Sequence, residues 1–192
     1  MTRLVQSVGI NDRSRPTKIE GRNTKEYTLW HDMLKRCYSI IYQEKYPTYI
    51  GCTISDNFKL YSYFFDWCSN QIGFGNIGYC LDKDLLYKGN KTYNENSCVF
   101  LPKDLNMLLV KSNATRGLYP IGVSKEGNRF KVQCRVSGKN NYLGLFDTPE
   151  LAFNAYKNFK EAHIKELAEK YKDTIDSRAY QALLNYEVSI DD

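Results

Sequence analysis

Apolar positions recur at helical intervals in "YTLWHDMLKRCYSI" (27–40), where Leu29, Trp30, Met33, Leu34, Cys37 and Tyr38 share one face. "YIGCTISDNFKLYSYFFDWC" (49–68) reads as a short strand followed by an aromatic helix. Asp56 is placed as that helix's N-cap, and Phe58, Tyr61, Phe64, Phe65 and Cys68 form its core stripe. Between 79 and 110 the rhythm changes. "GYCL" is a strand, a loop rich in Asn, Lys and Gly follows, "SCVFL" is a second strand, and "PKDLNMLLV" is a helix with proline at its first position.

"KSNATRGLYP" (111–120) has no periodic signal and reads as an interdomain connection. Beyond it lie three strands in a meander: "YPIGVS", "RFKVQCRV" and "YLGLF", with turns at Gly127-Asn128 and at "SGKNN" (137–141). Thr148 is placed to cap a helix that has Pro149 at its first position and runs to about Tyr171. Ala152, Ala155, Tyr156, Phe159 and Ala162 form its expected inner face. The tail carries a short helix around Ala179–Leu184 and an acidic end.

The pattern therefore predicts an α+β chain in five parts. These are a polar basic arm (1–24), a strand–loop–strand–helix domain with flanking helices (25–110), a linker (111–117), a three-stranded antiparallel sheet packed on one helix (118–171), and a helical tail (172–192). The arm gathers Arg13, Arg15, Lys18 and Arg22, and reads either as a mobile segment or as one that docks on phosphate.

Composition adjusts this picture modestly. The 192 residues carry a net charge of +5, which suits a polyanionic partner without requiring one. Sixteen tyrosines favour stacking contacts with nucleic acid or protein. The N-terminus lacks a signal-peptide pattern and no apolar run approaches ~18 residues, so a cytoplasmic, non-membrane protein is expected. Six scattered cysteines contain no C-x-x-C pair, and no zinc site is expected.

The middle strand of the meander alternates. Phe130, Val132, Cys134 and Val136 point to the helix, while Arg129, Lys131, Gln133 and Arg135 point away. From Tyr119 to Leu145 there are five basic residues and one acidic. Such a face is either an ordinary solvated surface or one that enters a DNA major groove, where Arg and Gln read bases and Lys meets phosphate.

"IGVSKEGNRFKVQCRVSGKNNYLGLFDTPELAFNAYKNFKEAH" resembles an APETALA2-type DNA-binding domain. The resemblance implies that Ser124, Gln133, Arg135 and Tyr142 lie at or near groove-facing positions. Arg129 and Lys131 are added by the alternation. The chain departs from the plant pattern, with Ser124 and Glu126 where arginines are usual and Tyr142 where tryptophan is usual.

"LDKDLLYKGNKTYNENSCVFLPKDLN" resembles the HNH (ββα-metal) endonucleases of phages and mobile introns, which often carry such a C-terminal domain. "W-x-x-M-L-x-R-C-Y" (30–38) and "L-D-K-D…G-N-K-x-Y" (81–93) carry this likeness. It implies a DNA phosphodiesterase using one Mg²⁺ or Mn²⁺ in a bacterial host, with Asp82 and Asn106 as metal ligands. It also implies an orienting amide among Asn90 and Asn96, with Ser97 beside them. Lys83 stands where the base histidine is usual. At an ordinary pKa of ~10.4 a lysine is a poor base, though it can hold phosphate; Asp84 is the alternative base. His31 reads as a surface or helix-packing residue and His163 as surface. Two functions follow: a metal-dependent endonuclease, or a degenerate relative that binds DNA or a host protein without cutting. A regulator built on the APETALA2-like domain alone would leave 27–110 without a role.

Overall fold

The computed structural model describes residues 4–110, 117–136 and 138–190. Of the expected linker, 111–116 lie outside the described residues, as does Ser137 of the second turn. The fold is α+β. Packing divides the chain into two compact units: residues 1–101 with 174–176, and residues 102–173 with 177–192. The division thus falls inside the strand–loop–strand–helix stretch, between its second strand and its helix. Among the described residues, no helix is long and apolar enough to cross a membrane.

In the first unit, a two-residue hairpin, β1 (Lys18–Ile19) with β2 (Arg22–Asn23), precedes α1 (Lys25–Tyr38). Thr24 caps α1, its hydroxyl accepting from the Tyr27 amide. Trp30, Met33, Leu34 and Cys37 bury the face expected from the spacing. Helix α2 (Ile40–Lys45) follows after Ser39, and its Ile40 and Ile41 are exposed. The aromatic helix is broken in two, α3 (Asp56–Lys59) and α4 (Tyr61–Ser69), and Ser55 rather than Asp56 is the cap.

The break has a cause in the arm. The Ile10 amide donates to the Lys59 carbonyl at 2.8 Å, and the Tyr61 amide donates to the Ile10 carbonyl at 2.9 Å, so Leu60 turns extended to bridge Ile10. The described part of the arm is therefore packed from Val5 to Arg15. Val5 and Val8 join the core, and a Cβ on Gly9 would meet Leu34 Cδ1 at 2.4 Å. Arg15 is committed to Asp66 at 2.6 Å.

Strand β3 (Thr53–Ile54) pairs in parallel with β5 (Thr92–Tyr93), and β4 (Tyr79–Asp82) pairs with β6 (Val99–Pro102). The two expected strands are thus neighbours. The loop between them, read as irregular, contributes β5. All six cysteines are free thiols. Burial pushes Cys37 and Cys98 up to about 12, which leaves both as inert core groups.

In the second unit, α5 (Lys103–Leu108) is followed by the meander β7 (Val123–Glu126), β8 (Arg129–Val136) and β9 (Lys139–Phe146). Helix α6 (Pro149–Tyr171), capped by Thr148, covers Val132 and Cys134. Its buried stripe is Ala152, Phe153, Tyr156, Lys160, Ile164, Leu167 and Ala168. Ala162 is exposed, contrary to its expected inward position, because the stripe passes through Lys160 and Ile164 instead. The Lys160 ammonium lies 5.4 Å from the Tyr156 ring centroid. His163 is half-buried, its Nδ1 3.0 Å from Glu166. The tail helix α7 (Ser177–Leu184) packs back through Ala179 and Leu183, and Val188 joins the core beneath the sheet.

Gly122 allows the closest approach in this unit. Its φ is +77°, and a Cβ there would sit 2.1 Å from Tyr156 Cδ2. Gly122→Ala combines overpacking with left-handed strain and is expected to lower stability by about 2–4 kcal/mol, read as a shift in the urea midpoint. A midpoint unchanged from the parent would show that Tyr156 has room to move.

Candidate functional site

The stretch after β4 is built around a buried ammonium. Lys83 is 7% exposed. Its Nζ donates to the Asp84 carboxylate and, at 2.8 Å, to the Asn90 carbonyl. The Tyr93 ring centroid lies 5.6 Å away. Asn90 answers reciprocally: its Nδ2 donates to the Lys83 carbonyl at 2.7 Å and to the Thr92 carbonyl at 2.8 Å, and its Oδ1 accepts from the Thr92 amide. The loop is thus closed on itself from Lys83 to Thr92.

Asp82 ends β4. Its Oδ1 accepts from the amides of Asp84 (2.9 Å) and Leu85 (2.8 Å), an Asx-type turn that starts the loop. Burial pushes its carboxyl above the usual range, against the pull of these amides. Further along, Asn94 Oδ1 accepts from the amides of Asn96 and Ser97, and the Ser97 hydroxyl donates to the Thr92 carbonyl. Ser97 is buried and Asn96 exposed.

These partners sort the expected residues. Of Asn90, Asn96 and Ser97, the three residues among which an orienting amide was expected, Asn90 is the one whose side chain holds the Lys83 backbone. Lys83 is buried, and the Asp84 carboxylate and the Asn90 carbonyl each accept a hydrogen bond from its ammonium. Asp84 keeps a half-exposed carboxylate beside Asp82. Asn106 lies on α5, in the second unit, half-buried. Among the described residues no group of three His, Cys, Asp or Glu side chains comes together for a metal. Two adjacent carboxylates are compatible with Mg²⁺, which is commonly held by one or two carboxylates and otherwise by water and substrate phosphate.

The two sequence motifs of the first unit meet at Tyr93. Burial raises its phenol well above the ordinary value, and the neighbouring Arg36 guanidinium pulls it back in part. Arg36 also lies 5.6 Å from the Tyr49 ring centroid. Neither Arg36 nor Tyr93 was singled out from the sequence as part of this site; the signal was their presence in the two quoted motifs.

The second candidate is the open face of the sheet. Val132 and Cys134 are buried, Phe130 and Val136 pack beside them, and Arg129, Gln133 and Arg135 are exposed. Register places Ser124 opposite Lys131, Gln133 opposite Tyr142 and Arg135 opposite Asn140. A bulge between Val132 and Gln133, where Leu143 is the extra residue of β9, keeps Tyr142 and Asn140 on the face of Gln133 and Arg135. Arg129 is engaged by Asp147 (3.0 Å) and by the Leu145 carbonyl (2.8 Å). Lys131 lies 3.3 Å from Glu126. Among the described residues Arg135, Gln133, Tyr142 and Ser124 have no such internal partner. Asn140 belongs with them and was missed by the sequence, since only the bulged register reveals its position.

No protein-family model matches the chain, and neither the curated proteins nor the solved structures contain a match.

Asn90→Ala removes three hydrogen bonds and orphans the Lys83 carbonyl. It is expected to cost about 2–3 kcal/mol of stability in urea unfolding, with Asn90→Asp recovering only the acceptor side. A loss below about 0.5 kcal/mol would mean that solvent replaces the amide.

Proposed function

We propose that the chain binds double-stranded DNA through the open face of its three-stranded sheet. One observation carries this: Gln133, Arg135, Asn140 and Tyr142 form two cross-strand pairs of exposed side chains with hydrogen-bonding or stacking capacity, on the face opposite the one that α6 covers. Arg and Gln are the side chains that make bidentate contacts to guanine and adenine in the major groove. Arg129 and Lys131 sit at the flank, where their ion pairs with Asp147 and Glu126 must loosen before they reach phosphate. The resemblance to APETALA2-type domains agrees with this use of the sheet.

A second reading, metal-dependent hydrolysis of DNA by an HNH-like first unit, is favoured by the Asn90 amide that holds the Lys83 backbone and by the Asp82–Asp84 carboxylates. A divalent ion held there would neutralise charge on the scissile phosphate. Asp82 would supply the principal ligand through the oxygen not used by the turn. Asn90 holds the loop that presents it. Lys83 serves the loop's architecture, its ammonium donating to the Asp84 carboxylate and the Asn90 carbonyl, and Asp84 is the group left to act as base. A degenerate unit that binds DNA or a host protein without cutting is the competing outcome.

Arg135→Ala is expected to weaken retention of duplex DNA in gel-shift titrations by about 1–3 kcal/mol if it reads a base, or to lower the salt slope by about one unit if it meets phosphate. Binding unaltered in both affinity and slope would remove the sheet face from the proposal. For the second reading, supercoiled plasmid is incubated with Mg²⁺, Mn²⁺ or EDTA. Nicking that needs metal and disappears in Asp82→Ala, with binding retained, supports it. A variant that cuts at the parent rate rejects Asp82 as ligand.

A further inference from the structure

The first unit contains a cleft of about 410 Å³ between the arm and the exposed side of α1. The arm contributes Gln6, Asn11 and Arg13, and the helix contributes Tyr27 and His31. Leu4 and Val5 supply an apolar wall. Among the described residues no carboxylate lines it. Among the described residues no hydrogen bond or ion pair engages the Arg13 guanidinium or the His31 ring, and the two rings of Tyr27 and His31 lie 6.3 Å apart, tilted at 39°.

The backbone around this cleft is unusual. The non-glycine residues with positive φ are Gln6 (50°), Ser7 (62°), Arg13 (61°) and Glu20 (49°) among the described residues. Two of these four, Gln6 and Arg13, line the cleft. Gln6 and Ser7 form a tight turn closed by Val5 and Gly9, whose backbones bond in both directions at 2.8 Å. The Arg13 amide donates to Asn11 Oδ1 at 3.0 Å, which fixes the turn that presents its side chain. Asp12, the nearest acid in sequence, is turned aside: its carboxylate accepts from the Ser14 hydroxyl at 2.8 Å and from Ser62, the latter holding it below the usual carboxylate range. Left-handed backbone in residues other than glycine costs free energy and collects where side chains are presented to a ligand.

We propose that this cleft binds a phosphorylated nucleotide unit. Arg13 supplies a planar, permanently charged fork for phosphate oxygens. His31 and the side-chain amides of Gln6 and Asn11 add donors. Tyr27, Leu4 and Val5 offer the flat and apolar surface that a base or sugar requires, and the volume suits a single nucleotide. The described lining, rich in donors and without an acid, selects an anion over a cation. The proposal is independent of the sheet face and of the Asp82 loop, since none of their residues contributes.

Binding is read on the full chain from the His31 ring signals in ¹H–¹³C NMR, titrated separately with a deoxynucleoside 5′-monophosphate, the matching nucleoside, inorganic phosphate and a 5′-phosphorylated oligonucleotide. The His31 signals are expected to move saturably with the monophosphate or the oligonucleotide, and at least about tenfold more weakly with the nucleoside or with inorganic phosphate. Tighter binding of the free monophosphate identifies a small-molecule site, and tighter binding of the oligonucleotide identifies a strand end. Arg13→Gln, an exposed change outside the core, is expected to weaken the preferred ligand by about tenfold or more without altering the unfolding midpoint. His31 signals that do not move at about 10 mM of any phosphorylated ligand, or equal binding by inorganic phosphate alone, or an Arg13→Gln variant that binds like the parent, would each overturn the assignment.

Discussion

A desolvated ammonium has to be paired, and in the first unit that requirement organises everything from β4 to β5. Lys83 finds its partners locally: the Asp84 carboxylate, the Asn90 carbonyl and the Tyr93 ring. Meeting them folds the loop back so that Asn90 can grip the Lys83 and Thr92 carbonyls, which in turn sets Thr92 and Tyr93 beside β3. Tyr93 then lies against Arg36 of α1. The pairing of a lysine in a chemically suggestive position is thus a structural event first. Removing one partner of a buried charge is costlier than never having buried it, so the loop's asparagine and aspartate are constrained together with the lysine.

The second unit depends on closeness rather than charge. Gly122 lets β7 begin almost in contact with the Tyr156 ring, and Ala152 keeps the start of α6 near the sheet. The inner face is then full, and every polar side chain of β8 goes to the opposite side. The bulge in β9 matters for the same reason. A strand with one extra residue and no bulge would turn Tyr142 and Asn140 inward; absorbing Leu143 as the extra residue returns both to the solvent face.

Periodicity made the helices and the meander readable, because core faces at 3.6- and 2-residue spacing are written locally. What escaped depends on partners distant in sequence. Leu60 breaks the aromatic helix because Ile10, fifty residues earlier, takes its neighbours' hydrogen bonds. Ser55 caps in place of Asp56 because the helix starts one residue sooner than the aromatic stripe suggested. Lys160 occupies a core position that no apolar pattern would assign to a lysine, tolerated through its contact with an aromatic face. At the candidate site, Asp82, Lys83, Asp84 and Asn90 do come together. Their division of labour was not legible, since it rests on which backbone carbonyl each side chain reaches.

The net charge of +5 gives little guidance to where an anion would settle, and the ion pairs explain why. Arg15 is bound to Asp66, Lys83 to Asp84, Arg129 to Asp147 and Lys131 to Glu126. Each of these cations was conspicuous in the sequence, and each is already partnered. Among the described residues, Arg135 on the sheet and Arg13 at the cleft are exposed guanidiniums with no acid paired to them. An anion that displaces an existing carboxylate gains only the difference between two similar interactions, whereas one that meets an unpaired guanidinium gains the whole of a charge-assisted contact. Under the proposed readings, affinity for phosphate would therefore be governed by which arginines the fold leaves unpaired, and not by how many it contains.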